Sequence, residues 1–265
     1  MTKHKIQIDP SLDEQQLIDP EVIRRFTKYC EIQPEETVLE IGPGAGNITE
    51  TLLEKARYLI CIEKNPKYVP VLHDRFQDST KLKIIQDDSL KTYLPKHDRL
   101  ASNLPYMITE AFFQRTLRLD FKSATFIIPT SFSETLQAKS SEPEYSKLSF
   151  LSQLFYDITY RENVSPDAYL PEPRTSTAII TLKPRASYNN LEIILLELIK
   201  QGDKYTKNAL REALIRAETC ESKKKARATI KNLSLDQRIL ESWASRLSLS
   251  DLQFIQHSLI EKVIG

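Results

Sequence analysis

Glycine is scarce in this chain, five residues among 265. That excludes a collagen-like repeat or a Gly-rich flexible array, and it makes any cluster of glycines informative. Cysteine is sparser still: Cys30, Cys61 and Cys220. An odd, widely spaced set builds no disulfide framework, and there is no CxxC pair. The four histidines, His4, His73, His97 and His257, share no ligand spacing, so no metal site is expected. Long apolar runs are missing as well. The longest, near Leu191, is broken by Glu192 and Glu197 and falls far short of the roughly 20 apolar residues a membrane span needs. The first ten residues carry neither an apolar signal core nor an Arg- and Ser-rich transit pattern. A cytoplasmic protein without a membrane partner is expected.

What is present is an ordinary globular balance, 40% apolar and 28% charged, enough to bury a substantial core. The length suits one large domain, or a large domain with a smaller one attached. The net charge is only +1, but it is unevenly spread. From Pro184 onward there are 14 Lys/Arg against 10 Asp/Glu, and the earlier part is net acidic. A basic face on the C-terminal part is expected, set against the plain alternative of a solvated charged surface.

No internal repeat or low-complexity tract appears. Apolar, β-favouring runs at 38–41, 58–63, 82–85, 99–103 and 124–128 alternate with helical patterns that start near Asn47, after Pro66, near Thr109 and beyond Ser131. This alternation predicts an α/β fold, a mostly parallel sheet covered on both faces. Two more strands are expected at 154–160 and 176–182, flanking a Pro-rich loop with Pro166, Pro171 and Pro173. Beyond the linker 184–190 the pattern turns wholly helical, at 191–200, 205–217, 223–232, 236–245 and 251–263. The expected domains are therefore 1–183 and a small all-helical domain, 184–265.

Three of the five glycines, Gly42, Gly44 and Gly46, fall in one stretch directly after the strand at 38–41. Glycines at a strand's C-terminal end let a ligand approach the backbone and so build a crevice. The spacing is not that of dinucleotide binders, and there is no Gly-Lys-Ser/Thr of a triphosphate loop. Acidic residues refine the reading. Glu40 precedes the turn, Glu63 ends the next strand, where it can accept from ribose hydroxyls, and Asp88 follows the third strand, where it can accept from an adenine amino group. One carboxylate per successive strand end suits a neutral ribose and adenine better than a phosphate. The plainer alternatives are a solvated Glu63 and a helix-capping Asp88.

After the fourth strand comes Asn103-Leu104-Pro105-Tyr106. An exocyclic amine is a poor nucleophile because its lone pair is delocalised into the ring. Acceptors that draw on the amino hydrogens favour a pyramidal nitrogen. The Asn103 side-chain oxygen and the Leu104 carbonyl suit that work. Pro105 stiffens the turn, and Tyr106 can stack on a base, a contact worth about 1–3 kcal/mol. The tetrad therefore points to methylation of an amino nitrogen on adenine.

On these motifs, together with Ile62-Glu63-Lys64, Asp88-Ser89-Leu90 and the segment 166–182, the chain resembles the rRNA adenine N6,N6-dimethyltransferase family. That family comprises KsgA-type small-subunit enzymes and Erm-type macrolide-resistance relatives. The resemblance covers most of 11–183 and is weaker beyond. It implies a Rossmann-like S-adenosylmethionine-dependent methyltransferase core with a small helical domain. It also implies two successive methyl transfers to adenine in a small-subunit rRNA hairpin or an immature small subunit, and a monomer. The residues it places at the cofactor are Gln15, Leu17, Glu40, Gly42, Gly44, Gly46, Glu63, Lys64, Asp88, Ser89 and Asn103. It assigns catalysis to Asn103, Leu104, Pro105 and Tyr106. Tyr169 stands where the family carries an aromatic residue near the target base. RNA contacts are expected from Lys204, Lys207, Lys223, Lys224 and Lys225.

The chain departs from the family in its opening pattern, where glycine, glutamine and phenylalanine have become Asp13, Glu14 and Gln16. An apolar anchor is lost and negative charge is added. The stretch that is Arg- and Lys-rich in the family is only Gln201-Gly202-Asp203-Lys204-Tyr205-Thr206-Lys207 here, and Asp87 replaces a usual glycine. These changes motivate an alternative, a methyltransferase-fold ribosome-assembly or nucleic-acid-binding factor with weak or no catalysis. The intact tetrad argues for the enzyme. A base-flipping DNA adenine methyltransferase fits the tetrad chemically, but no large target-recognition region is evident.

Overall fold

The structure, a computed structural model, describes residues 15–264. In chain order the first elements are β1 (Gln16–Leu17), α1 (Pro20–Tyr29), β2 (Thr37–Ile41), α2 (Asn47–Lys55), β3 (Tyr58–Glu63), α3 (Tyr68–Arg75), β4 (Leu82–Gln86) and β5 (Arg99–Asn103). Then follow α4 (Thr109–Thr116), β6 (Ser123–Pro129), α5 (Thr130–Gln137), α6 (Lys147–Phe155), β7 (Tyr156–Val164), β8 (Tyr169–Leu170) and β9 (Thr177–Pro184). The remaining helices are α7 (Asn190–Lys200), α8 (Thr206–Arg216), α9 (Lys223–Asn232), α10 (Gln237–Glu241) and α11 (Leu249–Leu259).

Seven strands form one sheet in the order β4-β3-β2-β5-β6-β9-β7. Strands β4, β3, β2, β5 and β6 run parallel, and β9 is antiparallel to β6. The inner strands are nearly continuous apolar runs, such as Val38-Leu39 and Phe126-Ile127-Ile128, all buried. A strand covered on both faces needs that composition. The chain runs outward from β2 through β3 to β4, then returns to place β5 on the other side of β2. The crevice between β2 and β5 is thus the switch point where such sheets bind ligands.

The register of these two central strands is pinned at the end opposite the crevice. Glu36 is buried, and Arg99 grips it with Nε to Oε2 at 2.6 Å and Nη2 to Oε1 at 3.2 Å. Lys122 adds a contact at 3.0 Å and the Gln33 N–H another at 2.9 Å. Burial alone would push this carboxyl up, but the Arg99 bonds and these donors outweigh it and hold it down at about 2. Next to this cluster the Thr37 N–H donates to Asp98 Oδ2 at 2.9 Å.

The elements differ from the sequence expectations where long-range pairing intervenes. Residues 154–160 are not one strand: α6 runs to Phe155 and β7 begins at Tyr156. Ser146 and Ser149 form a capping box that starts α6, and Leu151, Leu154 and Phe155 are buried at helical spacing. The helix expected at 236–245 stops at Glu241. Helix α1 went unrecognised in the sequence, although Asp19 caps it with bonds to the Glu21 and Val22 N–H groups and Pro20 opens it.

The chain divides into two compact units. One holds the residues up to Gln137 together with Asp157–Pro184, and the other holds Ala138–Tyr156 together with the chain from Arg185 onward. The sequence reading placed 138–156 with the sheet, whereas this segment groups with the C-terminal helices. Within that second unit the Phe155 carbonyl accepts from the Arg185 N–H at 3.2 Å and the Tyr188 hydroxyl at 2.9 Å. Among the described residues, no helix is long and apolar enough to cross a membrane.

Candidate active site

A cavity of about 480 Å³ opens at the C-terminal ends of the parallel strands, within the range of small-molecule sites. Its wall brings together Gln15 and Leu17, Glu40, Gly42 and Gly44, Glu63 and Lys64, Asp88 and Ser89, and Asn103 to Tyr106. These residues come from five separate stretches of chain; the strand ends of the seven-stranded sheet place four of them on one rim, and the segment of β1, paired with β8, adds the fifth.

The glycine turn is shaped by close approach. Gly44 has φ +56°, and a Cβ there would lie 2.5 Å from Gln16 Oε1. That oxygen accepts from the Ala45 N–H at 3.1 Å. Gln16 therefore pins the turn by a hydrogen bond at the position where the family pattern has an apolar anchor. Asn47 ties the same segment down, its Nδ2 donating to the Leu17 carbonyl at 2.9 Å. Asp13 and Glu14, the other two altered positions, lie outside the described residues. Gly46 has a different part. It is not on the cavity wall. It starts α2 at φ +88°, where a Cβ would lie 2.7 Å from the Phe76 ring.

Glu63 is 6% exposed, and its carboxylate is held at both ends. Oε2 accepts from the Gly44 N–H at 3.0 Å and Oε1 from the Asn65 N–H at 2.7 Å. A carboxylate can accept about four hydrogen bonds in all. Asp88 Oδ1 accepts from the Leu90 N–H at 2.9 Å, and Oδ2 lies 3.2 Å from Lys64 Nζ. The Leu90 bond and then the Lys64 charge hold this carboxyl below its usual range, so it stands ionised as an acceptor.

Glu40 is buried more deeply than Glu63, 2% exposed. Its Oε2 accepts from Thr49 Oγ1 at 2.7 Å and from Cys61 Sγ at 3.3 Å. Burial pushes the carboxyl up to about 7, the charge of Glu63 adds to this, and the two donors oppose it. The sign follows directly. A carboxyl raised in the folded state stabilises the fold fully below its solution value and loses that contribution as pH rises through about 7. Glu40→Gln, a neutral isostere, is expected to raise Tm relative to the parent by several degrees at pH 8 and by little at pH 5. Equal differences at the two pH values in thermal melts would remove the titration from Glu40.

At the end of β5 the Leu104 N–H donates to the Ile127 carbonyl at 3.1 Å, which fixes the tetrad's backbone. Leu104 itself is 1% exposed. Asn103 Oδ1 is buried and has no hydrogen-bond partner. Such an orphaned acceptor costs stability, and Asn103 is one of the residues that line the cavity. Burial of an unsatisfied acceptor on a cavity wall fits a ligand that brings a donor.

The structure buries Tyr169. Its β8 pairs with β1, with Leu17 opposite Tyr169 and Gln16 opposite Leu170. Strand alternation then points Leu170 outward, 56% exposed, and turns Tyr169 into the core at 2%. Its hydroxyl meets Thr177 Oγ1 at 2.7 Å, and burial holds the phenol well above its ordinary value. It packs in the core instead of lining the cavity. Lys204, Lys207 and Lys223 to Lys225 belong to the second unit. The three lysines of α9 sit exposed in its first turn, and Lys225 reaches Glu221 at 2.5 Å.

Sequence reasoning missed Gln16, Asn65, Tyr68 and Met107 on the wall. Asn65-Pro66 is a turn signal that could have located the second of these, since the Asn65 side chain also accepts from the Lys67 N–H at 3.0 Å. Tyr68 carried no local signal.

The geometry is matched by relatedness. A family model described as ribosomal RNA adenine dimethylase matches residues 6–244. The chain belongs to this family. The probable ribosomal RNA small subunit methyltransferase A of Methanosphaera stadtmanae is 32% identical over 250 residues, 94% of this chain and 88% of the relative. The protein of the same description from Methanococcoides burtonii is 34% identical over 206 residues, 77% of this chain and 76% of the relative. In fold, the chain is similar to the crystal structure of a dimethyladenosine transferase from Plasmodium falciparum. The TM-score is 0.63 at 22% identity, covering 93% of this chain and 98% of that one. The structure of the 23S rRNA methyltransferase ErmE gives a TM-score of 0.62 at 19% identity, covering 92% and 99%. The fold is thus the Rossmann-like α/β methyltransferase fold, and the dimethylase family is a family of S-adenosylmethionine-dependent methyltransferases.

Proposed function

We propose that the chain transfers two methyl groups from S-adenosylmethionine to the N6 amino group of adenine in small-subunit ribosomal RNA, on the free RNA or on an immature subunit. The observation that carries this is Asn103, a residue of the cavity wall whose Oδ1 is buried without a partner, followed on the same wall by Leu104, Pro105 and Tyr106.

The cofactor would be held by Glu63 at its ribose and by Asp88 and Ser89 at its adenine. Gly42 and Gly44 would give it access to the backbone, and Gln15, Gln16, Leu17, Lys64 and Glu40 would form the surrounding wall. Bound there, S-adenosylmethionine supplies an electrophilic methyl group on a sulfonium. The chain's own residues present the nucleophile. Asn103 Oδ1 accepts an N6–H bond together with the Leu104 carbonyl, which draws the amino group toward a pyramidal geometry. Tyr106 stacks on the base, and Pro105 limits the turn to one conformation. A side-chain amide is too weak a base to keep a proton, so the N6 proton passes to water after transfer. The rate gain comes from positioning and a preorganised acceptor.

The helical unit, 184–265 joined by 138–156, would carry the RNA contacts through Lys204, Lys207, Lys223, Lys224 and Lys225. We place the enzyme in the cytoplasm as a monomer. The test is transfer of labelled methyl groups to under-methylated small subunits, followed by nucleoside analysis. Dimethyladenosine is the expected product. Cofactor binding without transfer would refute the substrate. Absence of both would favour an assembly factor.

A further inference from the structure

The second unit carries an aromatic feature that the catalytic pocket does not use. Tyr205 and Trp243 stack with ring centroids 4.7 Å apart and planes 28° apart. They are 43% and 38% exposed. Two large rings left side by side at the surface are apolar area that folding has not covered. Because they stack on each other, one face of each ring is used within the pair.

The pair is held in place by the backbone. Tyr205 and Trp243 form an antiparallel bridge. The Thr206 N–H donates to the Ser242 carbonyl at 2.8 Å and the Ala244 N–H to the Lys204 carbonyl at 2.9 Å. Thr206 Oγ1 adds a bond to the Ser242 carbonyl at 3.0 Å. Thr206 and Ala244, one step along from the rings, are buried. The rings are thus fixed before any partner arrives, which lowers the ordering cost of binding.

Two cationic residues accompany the pair. Lys207 Nζ lies 5.9 Å from the Tyr205 ring centroid. Lys204 immediately precedes Tyr205, but its Nζ donates to Gln201 Oε1 at 2.8 Å. Arg246 is exposed in the same turn as Trp243, its N–H donating to the Trp243 carbonyl at 2.8 Å. Two acids are near in sequence, Asp203 and Glu241, and Glu241 approaches Lys207 at 3.9 Å. That pair is half-exposed on each side, so it contributes little and leaves Lys207 able to meet a phosphate.

We infer that Tyr205 and Trp243 form a stacking platform for unpaired bases of RNA, with Lys207 and Arg246 taking the flanking phosphates. Aromatic faces interleaved with cations are the chemistry of single-strand recognition. A protein-docking patch would need a wider apolar area, and here the neighbours Ala244 and Leu247 are buried. Duplex RNA offers phosphates but no free base faces. The inference rests on the reading of the chain as an RNA-modifying enzyme, and its test is separable from that reading.

Trp243 is the only tryptophan in the chain, so its fluorescence reports on this site alone. The full chain is titrated with single-stranded oligoadenylate at low salt, with anisotropy of labelled RNA followed in parallel. Saturable quenching of the indole is expected with the single strand, and little quenching with a duplex of the same length. Tyr205→Leu, which keeps apolar bulk and loses the ring, is expected to weaken single-strand binding about tenfold and to raise KM for subunits more than it lowers kcat. Tyr205→Phe keeps the ring and is expected to retain the affinity, which separates stacking from a fold defect. RNA binding without quenching, no RNA binding, or an unchanged affinity in Tyr205→Leu would each overturn the platform. Quenching by RNA without methyl transfer would leave the platform standing and remove the proposed substrate. Methyl transfer without quenching would do the reverse.

Discussion

Replacing Asn103 with alanine is expected to cut methyl transfer by roughly 10²–10³-fold, the range for loss of one preorganised polar group at a reacting centre. Cofactor affinity, read by calorimetry, should change little. The loss should fall on kcat, because the bond from N6 to Oδ1 strengthens as the amine becomes pyramidal. The structure adds a second signature. Asn103 Oδ1 is buried without a partner, so the parent bears a desolvation cost that alanine removes. The variant should therefore melt at the same temperature as the parent or higher, while losing activity. A residue that merely supported the turn would lose stability together with activity. Retained turnover in Asn103→Ala would remove its assigned role.

The parts of this site that were legible in the sequence are those built from local chain. Gly42 and Gly44, Glu63, Asp88 and the tetrad each sit at the end of an apolar strand, and a parallel sheet necessarily places successive strand ends on one rim. What could not be read was set by pairing between distant segments. The β1–β8 ladder joins Gln16 and Leu17 to the stretch after β7, and that pairing, not the local Ala-Tyr-Leu-Pro pattern, decides that Tyr169 faces the core. The same holds for 138–156. Its capping serines are local, but its membership of the second unit depends on packing with helices much later in the chain.

Gln16 illustrates a third limit. As a change from an aromatic family position it read as a lost anchor. The structure replaces the apolar contact with a hydrogen bond to the Ala45 N–H, and Gly44 leaves room for it because any Cβ there would meet the carboxamide. A polar contact thus ties the N-terminal segment to the glycine turn where the family pattern implies an apolar one.

Glu63→Ala should weaken S-adenosylmethionine binding by on the order of 10²-fold, since charge-assisted hydrogen bonds contribute about 1.5–3 kcal/mol each and a ribose offers two hydroxyls. The carboxylate is already oriented by the Gly44 and Asn65 N–H groups at 3.0 and 2.7 Å, so little ordering remains to be done when a ligand arrives. The alanine variant also strands those two donors and loosens the glycine turn. Glu63→Gln distinguishes the effects. It keeps one acceptor for the turn and loses the charge, so its affinity should fall between parent and alanine while its melting temperature without ligand stays nearer the parent. Calorimetric titration of the three proteins with S-adenosylmethionine is the measurement. An affinity for the alanine variant equal to the parent's would move the ribose contact away from Glu63 and leave it with the turn alone.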